Sequence, residues 1–412
     1  MISEDRSTTV AGISRPRAGG LPAPLALAGA LLMALLLAMA GLASPAAHAA
    51  SQQAASPLAG HHSKYNFSRI AYTGSRIVIA GTDSTGDLYM FWQKQGTPAW
   101  HRERVARGGR GHRYAKPSIA WTGHAVAIAA VNTSGDLFYF AQPQGHSGWT
   151  HRELGTASGG KYGAPSIAAV ADGPILISAA RNSGKLASFE LASSSSGWTK
   201  TTVASGNFGA PSIITCFDSL ISQNLALITA PAGGTLDFWW ERLDHTGWNQ
   251  ETVSNGASGV TFTGATLAAT NKTILLTTSL NIGAVLEFAQ AIGGSGWAGQ
   301  TVAVGPGSTI YRNPQIAWTG ATDGNPVSYD VITATTGDGS LVFWWADDGS
   351  TNSWTEETIA SSGKHAAYAN PGIAITSKSV VISVINSKPG NVEFWLQKFT
   401  TTPWREQLVA KG

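Results

Sequence analysis

One pattern returns seven times along this chain and constrains its fold more than any other feature. Trp100, Trp149, Trp198, Trp248, Trp297, Trp354 and Trp404 stand 49, 49, 50, 49, 57 and 50 residues apart. Five residues after each comes an aliphatic: Val105, Leu154, Val203, Val253, Val302, Ile359 and Val409. Twelve residues before each, or thirteen in the sixth unit, stands Leu88, Leu137, Leu186, Leu236, Val285, Leu341 or Val392. Three residues beyond that aliphatic is Phe91, Phe140, Phe189, Trp239, Phe288, Trp344 or Trp395. A repeat of this length is one supersecondary unit that buries its apolar surface only by stacking against copies of itself.

Each unit reads as four short strands. In the second unit these are Pro117–Trp121, Ala125–Val131, Leu137–Gln142 and Trp149–Leu154, separated by turns rich in Gly, Asn, Asp and Ser. The first two strands favour Ala, Ile, Val and Ser, whereas the third and fourth carry Phe and Trp, as fits blades that crowd at an axis and diverge outward. Apolar residues occupy both parities of the third strand (Leu88, Met90 and Trp92 against Tyr89 and Phe91), so both of its faces are expected to be buried. The fold class is therefore all-β, a seven-bladed β-propeller of four-stranded antiparallel blades. Residues 65–412 are assigned to it as one domain, behind a polar segment at 50–64. That segment is too polar to supply an outer strand, so the ring is expected to close by packing of blade on blade.

The N-terminal 49 residues read as an export signal: basic residues end at Arg17, an apolar run spans Leu25 to Leu42, and Ala47-His48-Ala49 supplies the small-residue cleavage pattern. The expected location is secreted and extracellular, with no membrane attachment once the signal is cleaved; retention as an anchor is the alternative. With a single cysteine, Cys216, no internal disulfide is available, and its apolar strand context predicts an inert thiol. The formal charge is only +3 and the basic side chains are scattered, which excludes nucleic acid as a partner.

Catalysis would need residues that break the repeat. Asp172, Asp218, Asp244, Asp323, Asp330 and the pair Asp347-Asp348 are such acids, and they read as solvated turn residues. Asp323, Asn325 and Asp330, around the insertion that lengthens the sixth unit, carry oxygen ligands without the spacing of a calcium loop. The histidines show no metal-ligand spacing, so neither metal nor cofactor is expected. A second repeating aromatic is more informative. Tyr65, Tyr114, Tyr162, Phe208, Phe262, Tyr311 and Tyr368 stand three residues before the first strand of each unit. Polar side chains adjoin it, among them His62, Lys64, His112, Arg113, Lys161, Asn207, Arg312, Lys364 and His365. Either the ring plugs the gap between blades, or ring and polar neighbours form a ligand site; both readings stay open.

The run Pro117-Ser118-Ile119-Ala120-Trp121, the turn and strand Ser134-Gly135-Asp136-Leu137-Phe138-Tyr139-Phe140, and Gly148-Trp149 with Leu154 together resemble the bacterial seven-bladed propeller lectins of the PLL type. The likeness spans residues 65–409 in organisation, and the fifth unit departs from it with Ala265 in place of the proline. The resemblance implies non-catalytic binding of fucose or related sugars between blades. The leading expectation is an exported, non-enzymatic, carbohydrate-binding propeller with multivalent sites at the seven aromatics and glycans or cell-surface polysaccharide as partners. A protein-binding scaffold and a propeller glycoside hydrolase are the alternatives. The hydrolase requires paired carboxylates at one mouth of the central channel.

Overall fold

The computed structural model describes residues 63–109, 112–193, 197–244, 247–305, 309–320, 327–348, 353–399 and 403–412. The N-terminal segment read as an export signal, His61, His62 and the insertion residues Asp323 and Asn325 lie outside them.

Seven four-stranded antiparallel sheets form the ring, each built from consecutive strands. Blade 1 comprises β1 (Tyr65–Tyr72), β2 (Arg76–Asp83), β3 (Leu88–Lys94) and β4 (His101–Ala106). Blade 2 comprises β5 (Tyr114–Trp121), β6 (Ala125–Asn132), β7 (Leu137–Pro143) and β8 (Thr150–Gly155). Blade 3 follows as β9 (Ser166–Ala169), β10 (Ile175–Arg181), β11 (Lys185–Leu191) and β12 (Trp198–Ser205). Blade 4 holds β13 (Ser212–Asp218), β14 (Gln223–Ala232), β15 (Thr235–Arg242) and β16 (Asn249–Asn255). Blade 5 holds β17 (Phe262–Ala269), β18 (Thr273–Leu280), β19 (Ala284–Ala291) and β20 (Ala298–Val304). Blade 6 holds β21 (Tyr311–Trp318), β22 (Tyr329–Thr336), β23 (Leu341–Asp347) and β24 (Thr355–Ala360). Blade 7 holds β25 (Tyr368–Ile375), β26 (Ser379–Asn386), β27 (Asn391–Lys398) and β28 (Arg405–Ala410).

Burial follows the radial order of the strands. Every residue of β6 and of β26 is buried, whereas the outer β8 exposes four of its six. The second strands are therefore buried on both faces, and neighbouring blades cover them. Across four of the gaps the repeating Trp sets its edge against the third-strand aromatic of the preceding blade: Trp100 on Phe394, Trp198 on Tyr139, Trp297 on Phe238 and Trp404 on Phe343. Their centroids lie 4.8–5.2 Å apart. Trp149 Nε1 also donates to Glu103 Oε1 (3.1 Å) and Trp404 Nε1 to Glu357 Oε2 (3.2 Å), each in the blade before. The tryptophan series is thus a packing device.

The repeating aliphatic has a specific cause. In all seven blades the ladder between third and fourth strands slips by one residue at the same place, as between Leu88 and Tyr89, and Val105 is the extra residue. Its counterparts are the other aliphatics five residues after the Trp, so the spacing read in the sequence is the signature of a β-bulge.

First strands begin earlier than the proline suggested. In blade 2 pairing starts at Tyr114, and the ladder is interrupted at Lys116-Pro117, where Lys116 has φ +50°. Proline cannot donate to a ladder and is tolerated at a bulge, so it marks an irregularity within the strand instead of its start. Tyr65, Tyr114, Phe262, Tyr311 and Tyr368 are accordingly first residues of strands.

The ring closes without a shared strand. Tyr65 N donates to Gly390 O of blade 7 (2.8 Å), just as Tyr114 N donates to Gly86 O, Tyr162 N to Gly135 O and Tyr368 N to Gly339 O (2.7–2.9 Å). Trp100 Nε1 and Gln93 Nε2 both donate to Gln407 Oε1 across the same joint (3.1 and 3.0 Å). The receiving turn requires glycine: Gly390 has φ +82°, and a Cβ there would lie 2.5 Å from Lys64 Cβ. Gly390→Ala is expected to destabilise the ring by about 2 kcal/mol or more through left-handed strain and this clash, measured by chemical denaturation. A variant as stable as the parent would show that this joint does not hold the ring closed.

Candidate functional site

The seven aromatics lie in the gaps between blades, and most of each ring is covered. Tyr65, Tyr162, Phe262, Tyr311 and Tyr368 are buried; Tyr114 and Phe208 are half-buried. Six of them meet the third-strand aromatic of their own blade edge-on. The pairs are Tyr65–Phe91 (5.5 Å), Tyr114–Phe140 (5.5 Å), Tyr162–Phe189 (5.9 Å), Phe208–Trp239 (5.4 Å), Tyr311–Trp344 (5.1 Å) and Tyr368–Trp395 (6.4 Å). The flanking Lys64, His112, Arg113, Lys161, Asn207, Arg312, Lys364 and His365 are all exposed. Ring and polar neighbours thus occupy different depths of the gap.

The polar groups closest to the rings come from the fourth strand, at the residue paired with the third-strand aromatic. This position holds Arg102, His151, Lys200, Gln250, Gly299, Glu356 and Glu406. In blade 3, Lys200 Nζ donates to Tyr162 Oη (2.9 Å), and the Arg181 guanidinium carbon sits 4.3 Å from the Tyr162 ring centroid. In blade 1 the Arg102 guanidinium lies 5.6 Å over Tyr89, beside Tyr65. In blade 6, Trp344 Nε1 donates to Glu356 Oε2 (2.9 Å); burial and then the Glu356 charge push the Tyr311 hydroxyl well above the usual phenol range. In blade 7, burial, then Glu393 and Glu406, do the same to Tyr368. The seven gaps share an aromatic floor but differ in charge at the mouth. Sequence reading missed this position because its residue types do not repeat; counting two residues on from each Trp would have found it.

In three of these gaps an atom of the aromatic pair itself is buried without a hydrogen bond among the described residues: Tyr65 Oη, which has the Arg102 guanidinium beside it, Trp239 Nε1 and Trp395 Nε1. Each belongs to the aromatic pair that floors its gap.

Superposed on solved structures, the chain matches a lectin, BP39L from Burkholderia pseudomallei, with a TM-score of 0.63 and 15% identity over 82% of this chain and 98% of that one. AofleA from Arthrobotrys oligospora matches with a TM-score of 0.51 and 12% identity, over 73% of this chain and 87% of that one. At such identities the likeness is one of fold. No family model and no curated protein matches the sequence.

The repeat-breaking acids do not gather at the channel. The axial cavity, about 250 Å³, is lined by first-strand residues of the seven blades and includes no carboxylate among the described residues. Asp172, Asp244, Asp347 and Asp348 are exposed, as the sequence suggested, but Asp218 and Asp330 are buried. Asp330 stands where the other blades carry Ile77, Val126, Ile175, Ala226, Ile274 and Val380, and Glu287 where they carry Met90, Tyr139, Ser188, Phe238, Phe343 and Phe394. Glu287 shares its face with Val285 and Ala289, and Asp330 with Ile332 and Ala334, so the two acids meet in the gap between blades 5 and 6. Burial, with repulsion from Glu287 and then Asp348, pushes Asp330 up to about 8. Burial pushes Glu287 up to about 6, opposed by its hydrogen bond from Gln300.

No group of three or more His, Cys, Asp or Glu suited to a metal occurs among the described residues. Burial raises the Cys216 thiol to about 12, which leaves it un-ionised and unreactive at neutral pH. Among the described residues, large exposed hydrophobics are Phe217, Leu220 and Ile221 at one hairpin of blade 4, with Ile282 and Val327 elsewhere. The broad apolar rim that a protein scaffold would favour is not formed by these residues.

An acid whose pKa is raised by folding costs stability as it ionises. The loss at Asp330 should begin above the unfolded value of about 3.9 and be complete once the pH passes its folded value of about 8. Asp330→Asn should therefore match the parent in melting temperature near pH 4 and gain steadily on it up to pH 8. A constant offset across that range would contradict the assignment.

Proposed function

We propose that this propeller is an exported carbohydrate-binding protein of the PLL lectin type that holds glycans, without catalysis, at the outer mouths of its inter-blade gaps. Tyr65, Tyr114, Tyr162, Phe208, Phe262, Tyr311 and Tyr368 supply the aromatic floors. The fourth-strand residues Arg102, Lys200, Glu356 and Glu406 supply charged groups that fix hydroxyls. The observation that carries this reading is the pair of buried, unpartnered indole donors Trp239 Nε1 and Trp395 Nε1. A buried donor without a partner is costly, and a sugar hydroxyl entering the gap would satisfy it. The fold shared with BP39L lectin supports the same reading.

The mechanism follows from the parts. Sugars present an apolar face of C–H groups and a rim of hydroxyls; the faces of aromatic rings receive the first, and ionised side chains bond the second more strongly than neutral ones do. Because the charged group differs from gap to gap, the sites are expected to differ in affinity, with blades 1, 3, 6 and 7 best equipped and blade 5, which has Gly299 at this position, poorest. Several such sites on one rigid ring would give avidity toward a polysaccharide surface.

A glycan array followed by calorimetry on the purified protein tests this. Binding of at least one glycan class is expected. Each lost charge-assisted hydrogen bond is worth roughly 1.5 kcal/mol, so Arg102→Ala, Lys200→Ala or Glu406→Ala should weaken its own site about tenfold; Lys200→Ala should also lower the melting temperature, because it leaves Tyr162 Oη without its donor. Absence of binding to every sugar at millimolar concentration would sink the proposal. Binding untouched by all three variants would move it away from these gaps.

A further inference from the structure

The axis of the ring carries a feature that glycan binding at the periphery does not use. One position of the first strand points into the central cavity in every blade. It is Arg69, Ser118, Ser166, Ser212, Thr266, Gln315 and Gly372 around the ring, each one residue before the conserved-in-repeat aliphatic exemplified by Ile70 and Ile119. Six blades place a small or neutral residue there. Blade 1 places an arginine, the one charged side chain in the cavity lining.

The arginine has been given room. Gly372, the sole glycine at this position, belongs to the neighbouring blade 7, and a Cβ on it would lie 3.3 Å from Arg69 Cα and from Ile70 Cγ2, and 3.0 Å from Ser383 Oγ. The guanidinium is also held in place. Nη1 donates to Ser68 O (2.9 Å), Pro371 O (3.3 Å) and, at the limit of a hydrogen bond, Asn370 O (3.5 Å). Nε and Nη2 make no hydrogen bond among the described residues, and no carboxylate pairs with the group. Burial brings its pKa down to about 10, so it stays charged at neutral pH. Arg69 is half-buried in the cavity wall, and a partly desolvated cation with no counter-charge favours an anion beside it.

The remainder of the lining faces the same way chemically. Ser118 Oγ accepts Ile167 N (3.2 Å), Ser166 Oγ accepts Ile213 N (3.1 Å) and Ser212 Oγ accepts Leu267 N (3.2 Å). In each case the hydroxyl oxygen is engaged by the next blade's amide, while its own proton has no acceptor among the described residues. Three hydroxyl donors and the free Nε–Nη2 edge of a fixed guanidinium therefore share a carboxylate-free cavity of about 250 Å³. That volume is roughly eight times the share of one water in the liquid, enough for a small polyatomic anion and some of its hydration.

We propose that the axial cavity is a binding site for one small oxyanion, with Arg69 as its charged anchor and Ser118, Ser166 and Ser212 as hydroxyl donors. The Nε–Nη2 edge presents two parallel N–H groups that match two oxygens of a carboxylate, sulfate or phosphate group, which a spherical halide does not. Such an anion either is free in solution or is the acidic group of a sugar. The site is independent of the glycan sites in the gaps and stands or falls separately.

Calorimetry and thermal melting of the purified protein, with inorganic sulfate, inorganic phosphate or glucuronate at ionic strength matched by chloride, test the proposal. Saturable binding of one anion per chain is expected. Sulfate stabilises many proteins through exclusion from the surface, so saturation and its loss in a variant are the diagnostic features. Arg69→Ser, which restores the residue used by three other blades, should weaken binding at least tenfold. Should that variant fail to fold, the Arg69 Nε–H nuclear magnetic resonance signal of the parent should move on adding sulfate. Sulfate or phosphate binding identifies a free anion as sufficient, and glucuronate binding alone identifies an acidic sugar; either supports the site. No saturable binding of any of the three, equal binding by Arg69→Ser, an unmoved Nε–H signal, or equal affinity for chloride would overturn it.

Discussion

A four-stranded sheet whose largely apolar second strand must be buried on both faces cannot persist alone in water, and everything else in this structure depends on covering those two faces. The gap between blades does this with a small set of contacts. A tryptophan edge enters against the preceding blade's third strand, and an outer glutamine or glutamate accepts its indole proton in several gaps. On the opposite side of the unit, in four gaps, the backbone amide of Tyr65, Tyr114, Tyr162 or Tyr368 bonds to a turn glycine of the blade before. These contacts act between sheets, so each sheet's own ladder is free to carry the bulge opposite Leu88 and its counterparts. The bulge lets the aliphatic after each Trp turn back toward the core.

Because packing consumes the repeating positions, chemical individuality is left to residues that do not repeat. The fourth-strand position beside the aromatic floor carries arginine, histidine, lysine, glutamine, glycine or glutamate. The gap between blades 5 and 6 has acquired two acids where the others are mostly apolar, and the axis has acquired one arginine beside one glycine. Such a ring behaves as a uniform frame with seven separately tunable slots. These slots differ in the side chain at that fourth-strand position, the pattern expected where individuality is added to a fold already stabilised by other residues.

The architecture was legible because the constraints that produce it act once per blade: seven tryptophans, aliphatics and aromatics in fixed spacing could only be one unit repeated. Strand starts were less legible. Pro117 looked like a beginning because proline cannot donate to a ladder, yet the chain pairs from Tyr114 and passes the proline through a bulge. The depth of Tyr65 and its counterparts was not readable either, since a ring that floors a gap and a ring that faces solvent occupy the same place in the repeat. The meeting of Glu287 with Asp330 was hidden for a different reason. The two lie on strands of different blades, and each alone looks like a polar residue near a turn. Arg69 escaped notice because Ser, Thr, Gln and Gly share its position without forming a pattern of hydrophobicity.

The joint between blades 7 and 1 is made from the same parts as the joints within the chain: a turn glycine receiving an aromatic's amide, and a tryptophan edge against a phenylalanine. Connectivity is therefore not what distinguishes that seam from any other. The order in which blades are threaded is, in energetic terms, close to arbitrary. A gene rearranged to start at the second or the fifth blade, with the present ends joined, would encode the same set of inter-sheet contacts in a different linear order. The ring therefore has more than one place at which it could be opened with its inter-sheet contacts kept.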